Sequence, residues 1–148
     1  MATTMKHIFF LFTVFLLSSC AMKSEPTADL AEVQQSYAAG DYQAAVRGYE
    51  RLVGVMPQNA ELWFRLANGY VRVGQPDAAV TAYRNALLRD PKLGMAWHNL
   101  AETHLQMALQ AYIEGRKYIT DDDPSFNSIK AKQDRLLELL GPKEDGSR

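Results

Sequence analysis

Apolar positions along this chain follow two different rhythms. Residues 8–17 are apolar with Thr13 as the one polar member, behind Lys6 and His7. Further on the spacing changes to threes and fours. Leu30, Val33 and Tyr37 stand at i, i+3 and i+7, and Trp63, Leu66, Ala67 and Tyr70 at i, i+3, i+4 and i+7. Ala79, Tyr83 and Ala86 continue the rhythm on a further segment. Each set falls on one face of a helix. Asp41 reads as a helix N-cap, Gly74 and Pro76 as a break between two helices, and Pro91 as the end of a unit. Beyond Pro91, Leu100, His104, Met107 and Ala111 predict one long helix to about Tyr118, since Ala108 stands where a turn glycine is expected. Asp121, Asp122 and Asp123 form a loop, with Asp123 as N-cap and Pro124 in the first turn of a last helix over residues 124–140. Residues 142–148 are expected to be disordered.

The stripes repeat. A shift of 34 superimposes Gly40 on Gly74, Ala44 on Ala78, Ala45 on Ala79, Val46 on Val80, Tyr49 on Tyr83 and Pro57 on Pro91. It also superimposes Trp63 on Trp97, Leu66 on Leu100 and Ala67 on Ala101. With Trp63, Leu66, Ala67, Tyr70, Gly74, Ala79, Tyr83, Ala86 and Pro91 at its signature spacing, the segment 60–93 resembles the tetratricopeptide repeat (TPR). The resemblance implies an all-α solenoid of helix-turn-helix units, about two and a half to three repeats over residues 26–59, 60–93 and 94–118. The helix over residues 124–140 then serves as a C-terminal cap, and the TPR domain covers residues 28–141. In the first unit Asp29 and Glu32 occupy the Trp and Leu positions, which gives the polar outer face that a terminal repeat needs.

The early apolar run has a separate meaning. Ten residues are too few to cross ~30 Å of hydrocarbon, which takes roughly 20 in a helix. The run fits the core of a secretory signal peptide over residues 1–19. Leu17-Ser18-Ser19-Cys20 resembles the bacterial lipobox, which implies cleavage before Cys20 and acylation of that cysteine. The other reading is a plain signal peptide with an incidental thiol. Ala21 after the cysteine implies sorting to the outer membrane, with the domain facing the periplasm. Residues 20–27 form the lipidated tether. The seven residues beyond the cysteine extend to about 25 Å at most, which keeps the domain near the membrane surface.

Composition narrows the partners. The full chain of 148 residues is 47% hydrophobic with a net charge of −1, values that exclude a disordered chain and a basic nucleic-acid binder. The leader holds four of the six phenylalanines and one lysine, so the mature chain carries −2. A lone cysteine excludes an internal disulfide and a cysteine-based zinc site. His98 and His104 are six apart, about 240° around a helix, and cannot share a metal. His104 stands where the repeat carries Tyr and is expected at the edge of the core. The acidic triplet lacks the spaced ligands of a calcium loop. No phosphate-cradling glycine loop and no nucleophile motif is present. The expectation is a protein with no enzymatic activity, cofactor or metal.

In proteins with these repeats the first helix of each pair lines a concave groove. That resemblance places Tyr37, Phe64, Asn68, Arg72, His98 and Glu102 in a partner-binding groove, with Leu30, Gln34 and Leu105 beside them. Phe64 either faces the groove or packs on the next repeat's first helix. The expected role is a membrane-anchored scaffold or assembly factor in the bacterial cell envelope, with pilus or secretion machinery as the implied setting. The alternative is a regulator that docks peptidoglycan synthases or hydrolases near the outer membrane. An enzyme with an unrecognised site is a third, weaker reading. Partners are envelope proteins in the groove and the membrane through the acyl chains, with no nucleic acid; self-association through the stacking edges is a further option.

Overall fold

The computed structural model describes residues 26–141. The expected leader, the expected lipidation of Cys20, the tether up to residue 25 and the tail 142–148 lie outside the described residues. Within them are six helices and no strand: α1 (Pro26–Ala38), α2 (Tyr42–Val55), α3 (Ala60–Arg72), α4 (Pro76–Arg89), α5 (Gly94–Gly115) and α6 (Phe126–Leu140). Each helix packs on the next in the chain, and α3 also touches α5. The result is an all-α helical-repeat arrangement, in which contacts run between neighbours.

The turns inside the first two helix pairs, α1–α2 and α3–α4, are built alike. Gly40 and Gly74 adopt φ of 82° and 74°, a left-handed conformation that costs glycine little. Around them Asp41 N donates to Ser36 O and Gln75 N to Tyr70 O, closing the C-terminal turns of α1 and α3. Asp41 then caps α2 by accepting from Ala44 N at 3.0 Å, and Asn59 caps α3 by accepting from Leu62 N at 3.2 Å. Pro76 opens α4, where its missing N–H costs nothing.

The core runs through the middle of this stack. Val33, Val46, Tyr49, Leu52, Leu62, Leu66, Ala79, Tyr83 and Ala86 are all buried in it. Tyr49 and Tyr83, equivalent residues of two repeats, are among the largest fully enclosed side chains. Each such ring removes about 150–250 Å² from water, worth roughly 4–6 kcal/mol before entropy is counted. Close approach of α1 and α2 depends on Gly48: a Cβ there would lie 2.2 Å from Val33 Cγ2.

Three expectations need correction. The 34-residue shift sets Trp97, Leu100 and Ala101 on the stripe of Trp63, Leu66 and Ala67; Leu100 is buried, but Trp97 and Ala101 are exposed. Their counterparts Trp63 and Ala67 are covered by the second helix of their pair, and the third unit has no such helix in that place. His104, expected at the core edge, is also exposed. Its counterpart Tyr70 is held by a hydrogen bond to Glu50 of α2 at 2.7 Å, whereas the residue 34 after Glu50 is Arg84, which offers no acceptor. Finally, the last helix starts at Phe126. Asp123 accepts from Ser125 N and Oγ at 2.8 and 2.5 Å, and Phe126 N donates to Asp123 O at 3.0 Å, so Pro124 sits in a turn before the helix.

α5 continues past the position of the absent turn glycine and ends at Gly115, close to the expected Tyr118. α6 packs on it with Phe126, Ile129, Leu136 and Leu140 half-buried, while Arg116 joins the two by lying 5.4 Å over the Phe126 ring and donating to Gln133 Oε1 at 3.2 Å.

Candidate functional site

The inner face of the stack carries a hollow of about 390 Å³. Its walls are Tyr37 from α1, Asn68 and Arg72 from α3, Tyr83 from α4 and Asn99 and Glu102 from α5. Four side chains expected in a groove, Tyr37, Asn68, Arg72 and Glu102, therefore meet in one place. They come from helices α1, α3 and α5, each the first of its repeat.

Asn68 organises the hollow. Its Oδ1 accepts from Tyr83 Oη at 2.6 Å and from Asn99 Nδ2 at 2.9 Å, which uses both lone pairs. The Nδ2 group remains as the donor open to a ligand. Thr103 is buried and turns its hydroxyl back to Asn99 O at 2.7 Å, fixing the turn of α5 that carries Asn99. Burial pushes the Tyr83 hydroxyl up to about 12, so it stays a neutral donor.

Arg72 supplies fixed positive charge. Its guanidinium stands 5.3 Å over the Tyr42 ring, and Tyr42 in turn meets Tyr37 edge-on at 5.1 Å. The hydrogen bond to Tyr37 raises the Arg72 pKa above its ordinary value. The first repeat thus holds a cation that belongs to the second.

Phe64 and His98 are placed elsewhere. Phe64 is half-buried against the core, with its ring 6.1 Å from that of Tyr83. It props the tyrosine at the hollow's base and does not line the hollow. His98 is exposed on α5, one turn before Glu102 and outside the walls.

A second hollow of about 540 Å³ adjoins the first and shares Val71, Thr103 and Gln106 with it. Pro76, Met107 and Ala111 make it largely apolar. The Met107–Glu114 wall exists because α5 does not turn at residue 108. A regular repeat would have reversed there.

Asn99, Tyr83 and Gln106 were not expected at the site. Tyr83 reads as a core residue from its stripe, and its hydroxyl is what reaches the hollow. Asn99 carried a usable signal: it lies one helical turn before Glu102, the residue 34 after Asn68, so it faces Asn68 across the α3–α5 contact. Among the described residues no three His, Cys, Asp or Glu side chains stand together as a metal site.

Comparison with known proteins agrees with this architecture. Residues 36–102 match the family profile of the tetratricopeptide repeat. Over 105 residues the chain is 29% identical to small glutamine-rich tetratricopeptide repeat-containing protein 2 of Mycosarcoma maydis, a stretch that covers 68% of this chain and 29% of that protein. The chain thus spans under a third of that relative's length. Domains of this repeat generally bind protein partners and typically act as scaffolds.

Proposed function

We propose that this protein is a lipid-anchored scaffold of the bacterial cell envelope that holds a segment of a partner protein in the two joined hollows of its inner face. The observation that carries the reading is the pairing of a polar hollow, with Arg72 and the Asn68–Asn99 amides, and an apolar one behind it. Amide donors suit the main chain of an extended peptide, and the apolar half suits one of its side chains. The anchor in this reading is acylated Cys20, supported by the lipobox resemblance; no described helix is long and apolar enough to cross a membrane. Ala21 favours the outer membrane and the short tether favours a partner close to that surface, as in assembly of a pilus or secretion machine.

A photo-crosslinking residue at Val71 tests the groove in cells. It is expected to trap a discrete envelope protein, and Arg72→Glu should reduce the product at least about tenfold. Equal crosslinking after Arg72→Glu would sink the groove reading. Cys20→Ser should release the protein from the membrane fraction, and a mutant that stays bound removes the acyl anchor. Deletion sorts the settings: a mislocalised secretin ring supports pilus or secretion assembly. Altered cell shape or lysis with an intact secretin supports the alternative, a regulator of peptidoglycan synthases or hydrolases.

A further inference from the structure

Trp63 sits in a three-part corner. Its Nε1 donates to Pro57 O at 2.9 Å. Arg89, the last residue of α4, lays its guanidinium 4.9 Å over the indole and donates from Nε to the same Pro57 carbonyl. One carbonyl oxygen thereby uses both lone pairs. Ala67, a turn further along α3, and Ala79 of α4 are completely buried where the two helices meet.

The same corner recurs 34 residues later without its cation. Trp97 Nε1 donates to Pro91 O at 3.0 Å. The residue 34 after Arg89 is Asp123, which lies in the loop before α6 and bonds Ser125. Trp97 keeps 54% of its surface exposed, and Ala101 beside it is exposed too. The chain's own last helix does not fill the place. α5 has 22 residues, about 33 Å, and α6 has 15, about 22 Å. With α6 packed on α5, Trp97 and Ala101 both remain exposed.

We infer that the Trp97–Ala101 face of α5 is a docking site for an arginine-bearing amphipathic helix of a partner protein, seated as α4 is seated on α3. Charge complementarity selects the arginine. The indole face and the second lone pair of Pro91 O together call for a cation with a planar donor, which a guanidinium offers and an ammonium does not. Ala101 lets a backbone approach closely, so the partner carries a small residue opposite it. The Ala79-to-Arg89 spacing puts the arginine ten residues after that small residue. This goes beyond the groove reading, because the face lies outside both hollows.

The internal repeat provides the probe. A lactam-stapled, fluorescein-labelled peptide with the sequence of residues 76–89 is titrated against the full chain in detergent, followed by anisotropy. Saturable binding is expected. Ala101→Arg and Trp97→Ala in the protein, and Arg89→Gln in the peptide, should each weaken it at least about tenfold, while Arg72→Glu leaves it unchanged. Circular dichroism should show both protein variants folded, since both positions are exposed. Absence of saturation up to about 1 mM, or binding indifferent to Ala101→Arg, overturns the inference. Sedimentation velocity closes the remaining route: a dimer that Ala101→Arg disperses would assign the face to a second copy of this chain and overturn the partner helix. Loss of peptide binding with Val71 crosslinking intact removes this site and leaves the groove standing.

Discussion

Trp63 and Trp97 occupy the same position in successive repeats, donate to the same kind of proline carbonyl, and end in different surroundings. One is packed beneath an arginine from the following helix. The other is more than half exposed. The residues themselves are identical, and so are Ala67 and Ala101, Leu66 and Leu100. What separates the two regions is the helix that comes next. After α3 the chain reverses at Gly74 and lays α4 back across it; after the equivalent stretch of α5 it continues for two more turns. Burial in this molecule is therefore a property of the helix pair, and a repeat that keeps its first helix but loses its return helix exposes what its neighbour hides.

Paired substitutions probe this contrast. The largest effect is expected for Ala67→Arg, which forces a cation into a fully closed contact: a loss on the order of 3–5 kcal/mol or failure to fold. Ala101→Arg should change stability by less than about 0.5 kcal/mol. Urea denaturation of both variants checks this, and similar midpoints would mean that the third repeat is closed in solution. The next effect is set by pH. Burial pushes Tyr83 and Tyr70 up to about 12, above the value near 10 of an unfolded tyrosine. The unfolded chain therefore loses these protons first, and their contribution is complete below pH 10 and is lost as pH rises toward 12. Denaturation midpoints should fall across that window, and Tyr83→Phe should flatten the fall.

Smaller changes sharpen the same comparison. Arg89→Ala removes the cation over Trp63 and the hydrogen bonds to Pro57 O and Asn85, an expected cost of about 1–2 kcal/mol. Its effect should appear as a red shift of Trp63 emission in a Trp97→Phe background. Tyr70→Phe leaves Glu50 without its donor and should cost about 1 kcal/mol, whereas His104→Phe, at the equivalent position, should cost nothing measurable by thermal melting.

Much of the fold was legible because two repeats state it twice. The stripes, Asp41 as cap, Gly74 and Pro76 as punctuation and the long run of α5 all follow from backbone preferences that act within a few residues. Exposure of Trp97, Ala101 and His104 was not legible, since it depends on the absence of a covering helix and a signature position does not record its cover. The same limit governs the groove. Counting from the core stripe places Tyr37, Asn68, Arg72 and Glu102 on the inner side of their helices, where the hollow is found. It also pointed to Phe64 and His98, which sit at the same height on the helix. Whether a ring there turns to a hollow or to Tyr83 is decided by the partner's side chain.

Among the described residues Gly40 and Gly74 mark the places where the chain turns back through left-handed backbone, and Ala108 stands where a further one would be. At that position α5 runs on to Gly115 where α1 and α3 have already turned back. The 34-residue repeat makes the middle unit portable. A tandem copy of residues 60–93 inserted after Leu93 would meet α5 with the same α4 surface that α5 meets now, since α5 already packs against an α4. Lengthening the array in this way would extend the inner face by one repeat and leave both of its ends as they are.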